Sequence, residues 1–528
     1  MKRVAIVGAG ITGITLAWHL VKAGCQVDMF ENGPEVPYPY APLFEAEVLY
    51  ANQYAPPRPS FPAPLPLDIK NISQTGDYAG DLQQERIMCV GGQATRWFAV
   101  TPRIRPEHFR SFSLYGYGRD WPISYEDLEP YYSRAEAHIG VSGQSDNPFA
   151  PRRASPFPLP AFALSYQDRI FAEKLKARGI ITHTTPQARA REDYDGRPGC
   201  QNFGECERCP VGARYSPNHH LELLRGSKRF ALHANCLVRR IIVENGKGVG
   251  IAYHPEHGAR QIEHRADVVI VAAGAIETAR LLLLSKASGI HSEGLGNASG
   301  QVGRNFGMHH VWWNELAFRD PVMPGRAGPP TLLSHQFTLP DKGGGGGGMT
   351  VEMFDGVPQG AILSAERKQY VSGKASLDAL RPFIYKRALT VNAETIPSDD
   401  KYVALGHEKD RFGDPFAAVT YKLNDFDRAT YQRAQRLVDR FGAALGADSI
   451  SRGAIGQFWS AHHHLGTCRM GESLRDSVVD SFGALHETSG VYVCGGATFP
   501  TVTPLQPTLT MVAFATRSAD RIAEQLAG

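Results

Sequence analysis

Apolar residues follow two rhythms along this chain. Val4-Ala5-Ile6-Val7 is a short unbroken apolar run of the kind buried on both faces of a sheet, and after a glycine cluster comes an amphipathic stretch through Leu16, Leu20 and Val21 that stops at Gly24. The reading is strand, turn, helix. Gln26-Val27-Asp28-Met29-Phe30 predicts a second strand that ends in Glu31. Ala266–Leu284 repeats the unit, with a buried strand through Val271, then Ala273-Gly274 and a helix carrying Glu277, Thr278 and Arg280. Strands alternating with helices in this way predict an α/β class with a parallel sheet. No apolar run reaches the length of a membrane span, and the first strand begins almost at Met1, which predicts a cytoplasmic protein by its own sequence.

Two stretches break the pattern. Pro34 to Pro66 holds ten prolines, which fix backbone angles and remove ladder donors, so it predicts an extended surface excursion after the second strand. Gly343–Gly348 is six consecutive glycines and predicts a flexible loop, which the residues leave open to two readings: an idle surface segment, or an engineered replacement for a longer disordered loop. At 528 residues the chain exceeds one typical core, so two domains are expected. A net charge of +3, with Lys and Arg dispersed, gives no reason to expect nucleic acid.

The glycine cluster is Gly8-Ala9-Gly10-Ile11-Thr12-Gly13. Its first glycine permits the turn, its second lets a pyrophosphate approach the backbone, and its third lets helix and strand pack closely. Glu31 stands about twenty residues on, where a carboxylate can bind both hydroxyls of an adenosine ribose. These features predict a dinucleotide and do not separate FAD from NAD. Near the other end, His463 precedes a Gly466-Thr467 turn and Gln506 follows some forty residues later. An imidazole can take a hydroxyl proton at neutral pH while the carbon gives up hydride, so the pair suits alcohol oxidation. Cys200, Cys206 and Cys209-Pro210 crowd onto one segment, open to four readings: an iron–sulfur site, zinc shared with His219 or His220, reduced thiols, or a disulfide with one thiol over.

Several separated segments carry a family likeness. Val90-Gly91-Gly92-Gln93-Ala94-Thr95-Arg96-Trp97 resembles the flavin-wrapping segment of the glucose–methanol–choline (GMC) oxidoreductases, and Asp120-Trp121-Pro122 through Tyr132 resembles the opening of their substrate domain. Ala266–Leu284, the His463-x-x-Gly466 turn and Pro507-Thr508-Leu509-Thr510 complete a series in family order. The resemblance implies an FAD-binding Rossmann-like domain (residues 1–110, 195–310 and 455–528) interleaved with a substrate domain of antiparallel sheet and helices (111–194 and 311–454). It implies a cofactor set of Gly8, Gly10, Gly13, Glu31, Gly91, Gly92, Thr95, Arg96, Trp97, Val238, Gly274, Pro507 and Thr508. His463 falls on the family's catalytic histidine, expected to take the hydroxyl proton while hydride passes to flavin N5. In the family a substrate-domain loop near the place of Gly343–Gly348 covers the active site, so the resemblance adds a third reading of that run, a gating lid.

Two positions depart from the pattern. Gln506 stands where relatives have asparagine or histidine; it can orient a substrate oxygen but cannot act as a base. Arg96 stands where pyranose 2-oxidases carry the histidine that bonds their flavin, so the FAD is expected to be non-covalent. The likeness is closest to sugar-oxidising branches, which implies oxidation of a secondary ring hydroxyl, C2 or C3, of a pyranose or glycoside to the keto sugar, with oxygen or a quinone as acceptor. His309, His310, Trp312 and Trp313 are candidates for stacking on that ring. The dehydrogenase subunits of the family carry a three-iron cluster on a segment like Cys200–Cys209, although the last spacing here is shorter. That branch implies transfer through the cluster to a cytochrome, and the family resemblance also implies that export with a partner subunit bearing the signal is open to this chain. A third expectation is an FAD-binding assembly subunit without turnover.

Overall fold

The computed structural model describes residues 2–39, 70–202, 206, 209–286, 291–322, 329–341, 345–354, 374, 378 and 381–528. Arg3–Val7 (β1) lies at the centre of a five-stranded sheet ordered Val491–Val493, Val268–Val271, β1, Gln26–Phe30 (β2), Phe230–His233, with every neighbouring pair parallel. The unbroken apolar run of β1 serves both faces. Val4 and Ile6 pack with the helix Ile11–Lys22 (α1) and with Ala515, Ala519 and Ile522 of the helix Thr508–Ala527, while Ala5 and Val7 join the main core with Val269, Val271 and Ile276. Sequence-distant strands thus meet at one sheet edge, where turns carrying glycine lead into helices.

The second large sheet is antiparallel and six-stranded among the described residues, ordered Ser449–Ser451, His310–Ala317, Lys386–Ala393, Met349–Phe354, Leu332–Ser334, His183–Thr184. Its register sets Glu352 opposite Thr390 and His310 opposite Ala393. The helix Asp425–Leu445 backs it. That helix starts at a reciprocal cap between Asn424 and Asp427 and stops at Gly446 with φ +79°. Lys401 and Asp427, both fully buried, pair at 2.6 Å and tie the helix start to the strand Lys401–Lys409.

Most of Pro34–Pro66 and the glycines Gly343 and Gly344 lie outside the described residues. The later glycines of that run are docked. Gly347 N–H donates to Thr430 Oγ1 at 2.8 Å and Gly348 N–H to Glu394 at 2.9 Å, and a side chain at Gly348 would meet the Thr338 carbonyl at 1.8 Å. Close approach to a helix and a strand accounts for these glycines, where the sequence pattern predicts only looseness.

Removing one partner of a buried ion pair leaves the other charge uncompensated in a low-dielectric interior. Lys401→Met is expected to cost about 3–5 kcal/mol, read as a lower midpoint in chemical denaturation. Adding Asp427→Asn to it should recover part of the loss.

Candidate active site

One large cavity runs between the two sheets, and the glycine turn, the Gly91-Gly92 segment, His463 and Gln506 all line it. The glycine turn has the geometry its spacing predicts. A Cβ at Gly8 would meet the Ala272 carbonyl at 2.5 Å and one at Gly13 the Gly8 carbonyl at 2.0 Å, whereas a Cβ at Gly10 would meet nothing within 4 Å. Gly10 is therefore the place where the backbone is left bare toward the cavity. Glu31 ends β2 beside it, its carboxylate accepting the Ala9 and Gly33 N–H groups at 2.9 Å each; burial pushes its carboxyl above the ordinary range. Gly91 N–H donates to the Ala9 carbonyl at 2.7 Å and sits at φ +99°, so the second glycine segment is bonded directly to the first.

Helix starts give a sharper sign of what the cavity holds. α1 begins at Gly10, the helix Gly274–Leu284 at Ala273 and the helix Thr508–Ala527 at Pro507; all three starts line the cavity and none has a side-chain cap. Elsewhere, Tyr125–Ile139 and Asp425–Leu445 carry reciprocal side-chain caps. Uncapped N-terminal N–H groups favour an anionic ligand such as a pyrophosphate or an electron-rich ring. Val238 and Gly274 line the same wall, and Thr508 opens the last of these helices. Thr95 donates to the Gly92 carbonyl at 2.8 Å, and Trp97 Nε1–H to the Tyr215 carbonyl at 2.8 Å. Buried Arg214 fixes the Thr95 and Ala94 carbonyls from behind. Arg96 lines the cavity with no ion-pair partner among the described residues. These residues fit FAD.

At the other end, Gly466 (φ +75°) and Thr467 (φ +79°) form the turn that follows His463. Thr467 Oγ1 donates to the Ala275 carbonyl at 2.8 Å, which anchors the turn to the helix Gly274–Leu284. His463 Nδ1 lies 2.9 Å from His309 Nδ1, and His309 Nε2 lies 2.6 Å from the Thr503 carbonyl. Burial holds His463 well below the ordinary imidazole range, with smaller contributions from the neighbouring histidines, and holds His309 at about 4. His462 and His464 both turn to Glu85, His462 Nδ1–H donating to its carbonyl at 2.8 Å and His464 Nε2 standing 3.4 Å from its carboxylate.

Gln506 Nε2 donates to the buried carboxylate of Glu352, whose other oxygen accepts Thr390 Oγ1–H at 3.1 Å. Burial pushes the Glu352 carboxyl up. Gln506 Oε1 is buried without a protein partner among the described residues. Glu352 was not legible in the sequence: a lone acid in an apolar strand acquires meaning only from its register opposite Thr390. Trp312 and His310 are fully buried in the core, His310 bonding Tyr421 Oη at 2.9 Å, and Trp313 is 40% exposed; the aromatics that line the cavity include Trp97, Phe98, Phe354 and Trp459.

Cys200, Cys206 and Cys209 are free thiols, with Arg189 donating to Cys206 Sγ at 3.7 Å. Residues 203–205 and 207–208 between them lie outside the described residues. His219 and His220 face Asp195, at 3.1 and 3.4 Å, so among the described residues they do not complete a site with the cysteines.

Comparison with known proteins agrees with this geometry. Two family models described as GMC oxidoreductase match residues 163–311 and 397–515, and one described as FAD dependent oxidoreductase matches residues 3–100. The chain is 30% identical to the fructose dehydrogenase large subunit of Gluconobacter japonicus, over 99% of this chain and 98% of that one. It is 29% identical to 2-methyl-1,2-propanediol dehydrogenase of Mycolicibacterium austroafricanum, over 99% and 95%. Among solved structures, pyridoxine 4-oxidase from Mesorbium loti shares the fold with a TM-score of 0.65 at 17% identity, each chain covered to 99%.

The three glycines of the turn are expected to fail differently. Gly10→Val, whose Cβ meets no protein atom within 4 Å, should give a folded protein with little bound flavin, seen as a normal far-ultraviolet circular dichroism spectrum and a weak absorbance near the flavin bands. Gly13→Val, driven into the Gly8 carbonyl, should lower the yield of folded protein itself.

Proposed function

The chain belongs to the GMC oxidoreductase family and is an FAD-dependent enzyme acting on CH–OH groups, and we propose that it oxidises a secondary ring hydroxyl, at C2 or C3, of a pyranose sugar or glycoside to the keto sugar. The observation that carries this reading is a buried, neutral imidazole, His463, in the same cavity as the bare Gly10 backbone and a polar pair suited to hydroxyl groups. Relatives named for fructose and for a vicinal diol support a polyhydroxyl substrate.

The substrate hydroxyl donates to the His463 nitrogen that His309 does not engage, and His463 takes its proton. Burial keeps that imidazole unprotonated at neutral pH, so it is ready to accept. Bound FAD supplies the hydride acceptor. Gln506, held by Glu352, turns its free Oε1 and remaining N–H toward the substrate, and Glu352 is an acceptor for a neighbouring hydroxyl. A substrate with two adjacent hydroxyls can use both groups, which favours sugars over simple alcohols. Trp459 and Phe354 give the ring an apolar wall and exclude water. Electrons leave to oxygen or a quinone. A second reading, transfer through an iron–sulfur cluster to a partner subunit, rests on the three free thiols and on the kinship with a dehydrogenase large subunit; iron and acid-labile sulfide in the purified protein would favour it.

Anaerobic mixing with a panel of sugars, glycosides and simple alcohols is expected to bleach the flavin with the sugars first, and analysis of the product should find a ketone at C2 or C3. His463→Ala should slow bleaching by about 10²–10⁴-fold with flavin content unchanged; bleaching at the wild-type rate would overturn the assignment of the base. Because Arg96 cannot bond the flavin, acid precipitation should leave a yellow supernatant and a colourless pellet.

A further inference from the structure

We infer that His309 is a positioning residue: by accepting a hydrogen bond from His463 Nδ1–H, it locks His463 in the single tautomer whose Nε2 lone pair faces the substrate. The inference rests on the assignment of His463 as base and adds what makes that base competent.

The direction of each bond follows from chemistry. A peptide carbonyl only accepts, so the 2.6 Å contact between His309 Nε2 and the Thr503 carbonyl requires the proton on Nε2. His309 is fully buried, and no carboxylate lies against it among the described residues, so it stays neutral and its Nδ1 carries a lone pair. The 2.9 Å contact between the two Nδ1 atoms then has one arrangement, with His463 donating and His309 accepting. Neutral His463 has one ring proton, now on Nδ1. Its Nε2, which has no protein partner among the described residues, is left bare in the cavity. The opposite tautomer would set two lone pairs against each other at hydrogen-bond distance.

The same geometry limits where the proton goes. When the substrate O–H proton moves to His463 Nε2, His463 carries both ring protons and the substrate carbon releases its hydride to the flavin, a balanced two-electron oxidation. Passing the Nδ1 proton on would make His309 a cation. Nothing around it favours that: the titratable groups nearest the pair are His462 and His464 beside His463 and buried His310 beside His309, with Glu85 bonded to His462 and His464. His309 is thus a fixed acceptor and not a relay, and the proton leaves His463 through the cavity. His309 also joins both halves of the site, since Thr503 stands three residues before Gln506.

The test compares three substitutions in the FAD-loaded protein by stopped-flow flavin reduction across pH. His309→Leu removes the acceptor and should slow reduction about 10- to 100-fold with flavin content retained. His309→Asn puts an amide oxygen near the place of Nδ1 and should recover most of that loss. His309→Asp places a carboxylate there and should move the acidic limb of the pH profile upward by a unit or more, because a negative acceptor favours doubly protonated His463. Nitrogen-15 spectra of histidine-labelled protein should show one bare ring nitrogen on His463 that becomes mixed between tautomers in His309→Leu. Equal losses in Leu and Asn with an unmoved limb would mean that His309 merely fills space, and would overturn the inference. If His463→Ala reduces at the wild-type rate, the base assignment itself fails, whatever the His309 variants do.

Discussion

The structure depends on backbone N–H groups that the protein itself does not satisfy. Three helices begin on one buried cavity without side-chain caps, at Gly10, Ala273 and Pro507, while two long helices that begin elsewhere are closed by Ser124 with Asp127 and by Asn424 with Asp427. A buried donor without a partner costs on the order of 1–3 kcal/mol. Several such donors facing one space favour negative charge there. A dinucleotide supplies that charge, so its binding energy contributes directly to the stability of the native state.

Low dielectric sets the chemistry as well. At the substrate end, burial shifts His463 and His309 downward, toward the neutral imidazole, and shifts the Glu352 carboxyl upward. Burial stabilises a protonated imidazole poorly, so the proton that His463 takes is weakly held and readily given up. Glu31, also buried, faces the other end of the cavity with two backbone N–H partners. Glu31 and Glu352 therefore sit in one cavity with unlike neighbours, one bonded to backbone and one to a side-chain amide.

What could be read from the chain alone was the part governed by local backbone geometry. The Gly8-x-Gly10-x-x-Gly13 turn, the strand after it and Glu31 lie within thirty residues, and their spacing is dictated by one strand–helix unit. His463 and Pro507 could be located because a family pattern marks them. Glu352 and the bonding of His309 could not, since each is defined by pairing across sequence: Glu352 by its register with Thr390, His309 by partners 154 and 194 residues away. Trp312 and Trp313 show the same limit. Alternation puts one of the two inward, but which core it enters, and whether that core touches substrate, depends on the sheet stacked against it.

The order of strands in the parallel sheet has a consequence for biosynthesis. Val491–Val493 closes one edge beside Val268–Val271, and the helix from Thr508 lies against α1, so the first and last portions of the polypeptide build one cofactor cradle. While the ribosome is still elongating, β1 and its glycine turn wait without their edge strand, their facing helix or a place for flavin. Assembly of this sheet therefore waits for Val491–Val493 and the helix from Thr508, and it closes on contacts of long sequence separation. Cells short of riboflavin would be expected to accumulate a nascent-like form that proteases recognise by its unfilled amino-terminal sheet.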